Sequence, residues 1–227
     1  MFRKKLLLSI GVILILVTLG ITSFGMAVWV NELNSPKTVK VACIGDSITE
    51  RGYPLILRSM LGSDFTVANF GVSGSTVSRD SILPYMDQKA FQYAKDFDPD
   101  IIIIMLGTND ANPEITVDGD EGFEEDYKQL ISEFWALGGE EQIYVMKSPP
   151  ILSINSAYNN TYLVKTIIPQ IDQVATELEL PIIDIYGALG ENPDYYWDGV
   201  HPNKDGSTII ASTVYDFVFS EIDDIMQ

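Results

Sequence analysis

Histidine and cysteine are nearly missing from this chain: 227 residues hold one of each, His201 and Cys43. A single imidazole excludes, by count, a multi-histidine metal site or a His-x-x-x-His zinc pair. A single cysteine excludes an intrachain disulfide, and Cys43 lies inside the apolar run 39–44, where a thiol is buried and inert. Basic residues are scarce too. Fourteen Lys and Arg stand against 32 Asp and Glu, a net charge of −18; beyond residue 30 the count is 11 against 32, or −21. Such a surface repels polyanions and argues against nucleic acid as a partner. Internal repeats and low-complexity tracts are lacking. The 46% apolar and 11% aromatic content fits one globular domain with a full core. No pattern requires a metal, nucleotide or flavin, so no cofactor is expected.

Only one apolar run is long. Residues 6–30 carry no charged side chain and follow Arg3, Lys4 and Lys5. At 1.5 Å per residue a helix of that length spans about 37 Å, against a hydrocarbon core of roughly 30 Å. The expectation is a basic cytoplasmic tail over 1–5, a transmembrane signal anchor over 6–30, a polar linker over 31–37, and an extracytoplasmic domain over 38–227 at the cell membrane. The alternative is a secreted domain released by signal cleavage near Ala27, where Gly25, Met26 and Ala27 supply small residues. The length of the apolar run favours the anchor.

Within the domain, short Val- and Ile-rich runs at 39–44, 65–70, 101–106, 142–147 and 181–185 read as strands. Stretches with helical spacing at 53–61, 81–95, 123–137, 161–179 and 205–222 alternate with them. That order predicts an α/β domain with a mainly parallel five-stranded sheet covered on both faces, the wholly apolar run 101–105 being central. The acidic run 118–126 reads as a solvated loop and helix N-terminus, where the dipole favours carboxylates. It lacks the Asp-x-Asp-x-Asn-Gly spacing of a calcium loop.

Four polar segments fall at the carboxyl ends of these strands or just before the last helix, where open α/β sheets bind ligands. They are Gly45-Asp46-Ser47-Ile48-Thr49, Asn69-Phe70-Gly71-Val72-Ser73-Gly74-Ser75-Thr76, Gly107-Thr108-Asn109-Asp110, and Asp198-Gly199-Val200-His201-Pro202-Asn203. Thr49 stands where a Gly-x-Ser-x-Gly elbow needs its second glycine, which argues against a lipase-type α/β-hydrolase. Judged singly, each segment has a plain structural role. Ser47 could cap a helix, Gly71 and Gly74 could serve turns, Asn109 and Asp110 could form an Asx-turn, and 198–202 could be an ordinary loop. Their convergence on one edge argues for a site.

The four segments, in this order, resemble the SGNH or GDSL hydrolase superfamily, and the resemblance covers about residues 39–220. It implies a three-layer flavodoxin-like SGNH hydrolase fold. It implies Ser47 as nucleophile, His201 as base and Asp198 as its orienting acid, with an oxyanion hole from the Ser47 and Gly74 amides and the Asn109 side chain. The chemistry is intelligible from the residues: a serine hydroxyl needs a base with a pKa near neutral, and a carboxylate fixes the imidazole tautomer. Activity on this scheme requires a neutral His201 and falls as pH drops through its titration.

The chain is similar to sialate O-acetylesterase-like and other carbohydrate acetylesterase-like proteins, with lysophospholipase-like members neighbouring. Only Glu50, Arg51 and Gly52 separate the nucleophile segment from Tyr53 and Pro54, which leaves the crevice open. Tyr196, Trp197 and Thr108 are candidate substrate contacts, the aromatics by stacking on a sugar or lining an acyl pocket. No long apolar loop announces an acyl-chain tunnel. The expected function is a serine esterase acting on short, chiefly acetyl, O-esters of an extracellular carbohydrate. The alternatives are a lysophospholipase or thioesterase served by the membrane helix, and a catalytically silent glycan-binding domain.

Overall fold

The computed structural model describes residues 38–112, 122–137, 142–153 and 157–225. The expected tail, anchor and linker over 1–37 lie outside the described residues. Among the described residues no helix is long and apolar enough to cross a membrane.

Five parallel strands, β1 (Val39–Gly45), β2 (Phe65–Gly71), β3 (Ile101–Met105), β4 (Gln142–Met146) and β5 (Ile182–Ile183), form one sheet in the order β2-β1-β3-β4-β5. The helices are α1 (Ser47–Arg51), α2 (Tyr53–Leu61), α3 (Lys89–Asp96), α4 (Phe123–Trp135), α5 (Asn160–Tyr162), α6 (Ile168–Glu177), α7 (Ile185–Leu189) and α8 (Lys204–Ile225). Strand alternation splits the core into two layers. Ala42, Ile44, Ile102 and Ile104 point to the layer that contains α3, α4 and α6. Val41, Cys43, Ile101 and Ile103 point to the layer of α2 and α8. Every residue of β3 is buried, as its unbroken apolar run requires of a central parallel strand. The chain leaves β1 towards β2 on one side and returns to β3 on the other, which opens a crevice beyond the carboxyl ends of β1 and β3.

Three sequence expectations are corrected. The helix expected over 81–95 is a 3-10 turn at Tyr85–Asp87 followed by α3. Its first turn is instead bridged to Thr76, whose N–H donates to Leu83 O and whose carbonyl accepts from the Tyr85 N–H, while the Val77 and Ser78 amides donate to the Asp110 carboxylate. The strand expected over 181–185 shrinks to two residues, because Asp184 accepts from the Gly187 N–H and caps α7, a helix the apolar run concealed. The helix expected over 161–179 contains a π turn at Leu163–Ile167. Pro169 comes two residues after it, and the wider turn accommodates a residue with no N–H to donate.

Candidate active site

Ser47 is the first residue of α1, and the cap is its neighbour. Asp46 Oδ1 accepts from the Ile48 N–H at 2.9 Å, so the Ser47 side chain has no capping role. The first N–H of a helix has no intrahelical partner, which leaves the Ser47 amide facing the crevice end. The short helix is held at its far end by Asn69, whose Nδ2 donates to Thr49 O at 2.9 Å and Glu50 O at 3.0 Å. Its Oδ1 accepts from Gly71 N–H.

His201 lies in a loop closed on itself. Trp197 N–H donates to His201 O at 2.9 Å, Asn203 N–H to Tyr195 O at 2.8 Å, and Tyr196 bridges Pro202. Asn203 then caps α8 by accepting from Asp205 and Gly206 N–H. Within the loop Asp198 Oδ1 accepts from the Val200 and His201 amides at 2.9 and 2.8 Å, while Oδ2 faces His201 Nδ1 at 2.8 Å. Gly199 makes this loop feasible. Its φ is +81°, and a Cβ there would lie 2.6 Å from Ser153 N. Its carbonyl accepts from the Leu152 and Ser153 amides, tying the loop to the chain beyond β4.

The two parts meet across 154 residues: Ser47 Oγ stands 2.9 Å from His201 Nε2. A carboxylate only accepts, so Nδ1 carries the ring proton and Nε2 presents a lone pair to the Ser47 hydroxyl. Burial by itself would raise the Asp198 carboxyl. Hydrogen bonds from the His201 backbone and ring and from the Val200 backbone outweigh it and hold the group at about 2. Asp198 is therefore anionic wherever a neutral imidazole exists.

Asn109 is buried, and its Nδ2 donates to Ser75 O at 2.9 Å, one residue from Gly74. An amide nitrogen has two hydrogens, so the bond to Ser75 leaves one for a further acceptor. Gly74 sits at φ +82°, with its N–H on the same turn. Tyr158 is a residue the sequence did not single out: its hydroxyl donates to Asn109 Oδ1 at 3.1 Å and fixes which end of the amide faces Ser75. No local pattern around Tyr158 signals this, since the partners are 49 residues apart.

The candidate substrate contacts divide. Trp197 is 76% exposed and lines a cavity of about 350 Å³ with Ser47, Arg51, Gly52 and His201. Tyr196 is buried in the core layer of α2 and α8, and Thr108 is buried beside Asp46. Strand-like alternation at the Tyr196 bridge sends adjacent side chains to opposite faces, so only one of the two aromatics reaches the crevice. Beneath the site lie two buried carboxyls. Burial pushes Asp46 up to about 7, with Asp110 adding to the rise and the Ile48 amide and His201 opposing it. Burial likewise pushes Asp110 up to about 6, against the Ser78 and Val77 amides. Among the described residues no cluster of His, Cys, Asp and Glu is arranged to hold a metal.

A flavodoxin-like sheet with a hydrogen-bonded serine, histidine and aspartate at its switch point defines the class of SGNH hydrolases. The profile of the GDSL-like lipase/acylhydrolase family matches residues 43–209, and the chain belongs to that family. It is 32% identical over 215 residues to an acetylxylan esterase of Xylanibacter ruminicola, an alignment covering 82% of this chain and 45% of the relative. The chain thus spans about half the length of that relative. Among solved structures, it resembles the acetyl xylan esterase AlAXEase at a TM-score of 0.65 and 19% identity, covering 79% of this chain and 100% of the other. It also resembles Est24, a carbohydrate acetylesterase from Sinorhizobium meliloti, at 0.67 and 17%, covering 81% and 99%. At these identities the structural likeness concerns the fold.

Proposed function

We propose that this protein is a serine esterase that removes acetyl groups from O-esters on an extracellular carbohydrate through a covalent acyl-enzyme. The observation that carries the proposal is the continuous contact from Asp198 Oδ2 to His201 Nδ1 and from Nε2 to Ser47 Oγ, at 2.8 and 2.9 Å. In this scheme Ser47 Oγ attacks the ester carbonyl while its proton passes to His201 Nε2, and Asp198 stabilises the imidazolium. The oxyanion is met by the Ser47 and Gly74 amides and Asn109 Nδ2. Collapse expels the sugar oxygen, which takes the proton from His201. Water, deprotonated by the same nitrogen, then attacks the acyl-enzyme and releases acetate and Ser47.

An acetyl group is favoured by the small open cavity and by the acetylxylan esterase relative. The exposed Trp197 beside the cavity suits stacking on a sugar ring. The basic, then apolar, N-terminal sequence supports an exported chain held at the cell membrane. The test is hydrolysis of p-nitrophenyl esters from acetate to palmitate by the full chain and by Ser47→Ala. The expected result is a preference for acetate that disappears in the variant. A preference for long chains would move the substrate to lipids, and turnover untouched by Ser47→Ala would overturn the mechanism.

A further inference from the structure

The cavity beside Ser47 contains a cation that the acetyl chemistry does not use. Arg51 follows Ser47 by four residues on α1, so the two side chains share one face of the helix, with Cβ atoms about 6 Å apart. The Arg51 side chain is 66% exposed. It lines the catalytic cavity and, with Gly52, a second cavity of about 340 Å³ that also contains Arg58. Beyond residue 30 acids outnumber bases 32 to 11, and three lysines have close carboxylate partners: Lys95 with Glu133 at 2.6 Å, Lys128 with Glu177 at 2.5 Å, Lys147 with Asp172 at 2.9 Å. Arg51 does not. Its nearest acid is Glu50 at 3.9 Å, and that carboxylate accepts the Ser73 hydroxyl. Arg58 makes no ion pair among the described residues. Glu50 lines the second cavity, and the anion on the catalytic cavity, Asp198, is turned to His201 and to two amides.

Arg51 therefore lines the cavity at the nucleophile and Arg58 the cavity beside it, and among the described residues neither guanidinium has a carboxylate closer than 3.9 Å. A neutral sugar offers a guanidinium only hydroxyls, whereas a carboxylate matches it with two parallel hydrogen bonds. A domain of −21 repels an anionic glycan at long range, so a site that accepts one needs cations placed locally, within the roughly 8 Å over which charge is felt at physiological salt. We infer that Arg51, backed by Arg58, binds a sugar carboxylate next to the scissile ester, so that the substrate is an O-acetylated glycan containing uronic acid residues. The inference rests on the esterase function proposed above and specifies its substrate.

The test compares acetate release from a partly acetylated uronic acid oligomer with release from the same oligomer after its carboxyls are converted to methyl esters. Each ratio is taken within one protein, so a general loss of activity cancels. The wild-type chain should favour the acid form by roughly five- to tenfold, the range of a partly exposed charge-assisted pair. Arg51→Gln should bring the ratio near unity, Arg51→Lys should retain part of it, and added salt should erode it. In parallel, titration calorimetry of the Ser47→Ala chain with the deacetylated oligomer should detect binding that the added Arg51→Gln change removes. Equal release from both forms, with p-nitrophenyl acetate still cleaved, would overturn the carboxylate site and leave the esterase standing. Loss of all Ser47-dependent turnover would overturn the esterase. The calorimetric result then decides the carboxylate site separately: Arg51-dependent binding upholds it, and no binding overturns it.

Discussion

Replacing Gly199 by alanine tests whether the loop carrying Asp198 and His201 is held by the chain beyond β4. The added Cβ would lie 2.6 Å from Ser153 N, 2.9 Å from Ser153 Cα and 3.1 Å from Leu152 C. All three are backbone atoms, which do not swing aside as the end of a side chain does. Alanine at φ +81° costs about 1–2 kcal/mol through the left-handed conformation. Overpacking against fixed backbone adds roughly 1–3 kcal/mol. Relief requires the loop to move away from Leu152 and Ser153, which breaks the hydrogen bonds their amides make to Gly199 O. A shift of about 1 Å at His201 lowers kcat on the order of a hundredfold. Gly62→Ala is the internal control, since Gly62 has φ +74° but nothing within 4 Å of a built Cβ. The assay is p-nitrophenyl acetate turnover with urea denaturation of both variants. Gly62 has ψ −157°, a region that residues other than glycine rarely adopt, so the expected outcome is a loss of about 1–3 kcal/mol in stability with near-normal kcat for Gly62→Ala, and a larger loss with depressed kcat for Gly199→Ala. Equal stability losses, or a Gly199→Ala kcat within twofold of wild type, would refute the reasoning.

Tyr158→Phe removes the hydroxyl that orients Asn109 but leaves the ring in place. The expected effect is a roughly tenfold fall in kcat at nearly constant KM, because the amide matters most to the charge in the transition state; a change confined to KM would count against it. Asp46 gives a pH prediction. Its folded pKa, about 7, lies above the unfolded value near 3.9, so the folded chain holds the extra proton. The stability this contributes is full below about pH 4 and is lost as pH rises through about 7. Urea midpoints should therefore fall between pH 5 and 8, and Asp46→Asn, which keeps the cap acceptor without the charge, should flatten that fall; an identical slope would exclude Asp46 as its source.

Local rules account for what was legible in the sequence. Apolar runs between turn residues marked all five strands, because burial in a parallel sheet demands side chains of one kind on both faces. Asp198 and His201 sit three residues apart, so their contact was nearly assured by a tight loop. The same rules failed where a neighbour in sequence changed the meaning of a run. Asp184 turned the end of an apolar stretch into a helix, and Thr76, bonded to Leu83 and Tyr85, drew the chain near residue 81 into a bridge in place of a helix. At the crevice the residue types were readable, but their directions were not: Trp197 faces solvent and Tyr196 the core because of a bridge to Pro202.

The sequence by itself determined the sheet, the edge where the polar segments gather and the residue types available there, since each depends on periodicity, capping and turn chemistry within a few residues. Tertiary structure alone decided that Ser47 meets His201 across 154 residues, that Tyr158 steers Asn109, that Leu152 and Ser153 hold Gly199, and that Arg51 is left without a close acid. These are contacts between elements, and they come into being only when the hydrophobic layers on the two faces of the sheet fix how those elements pack.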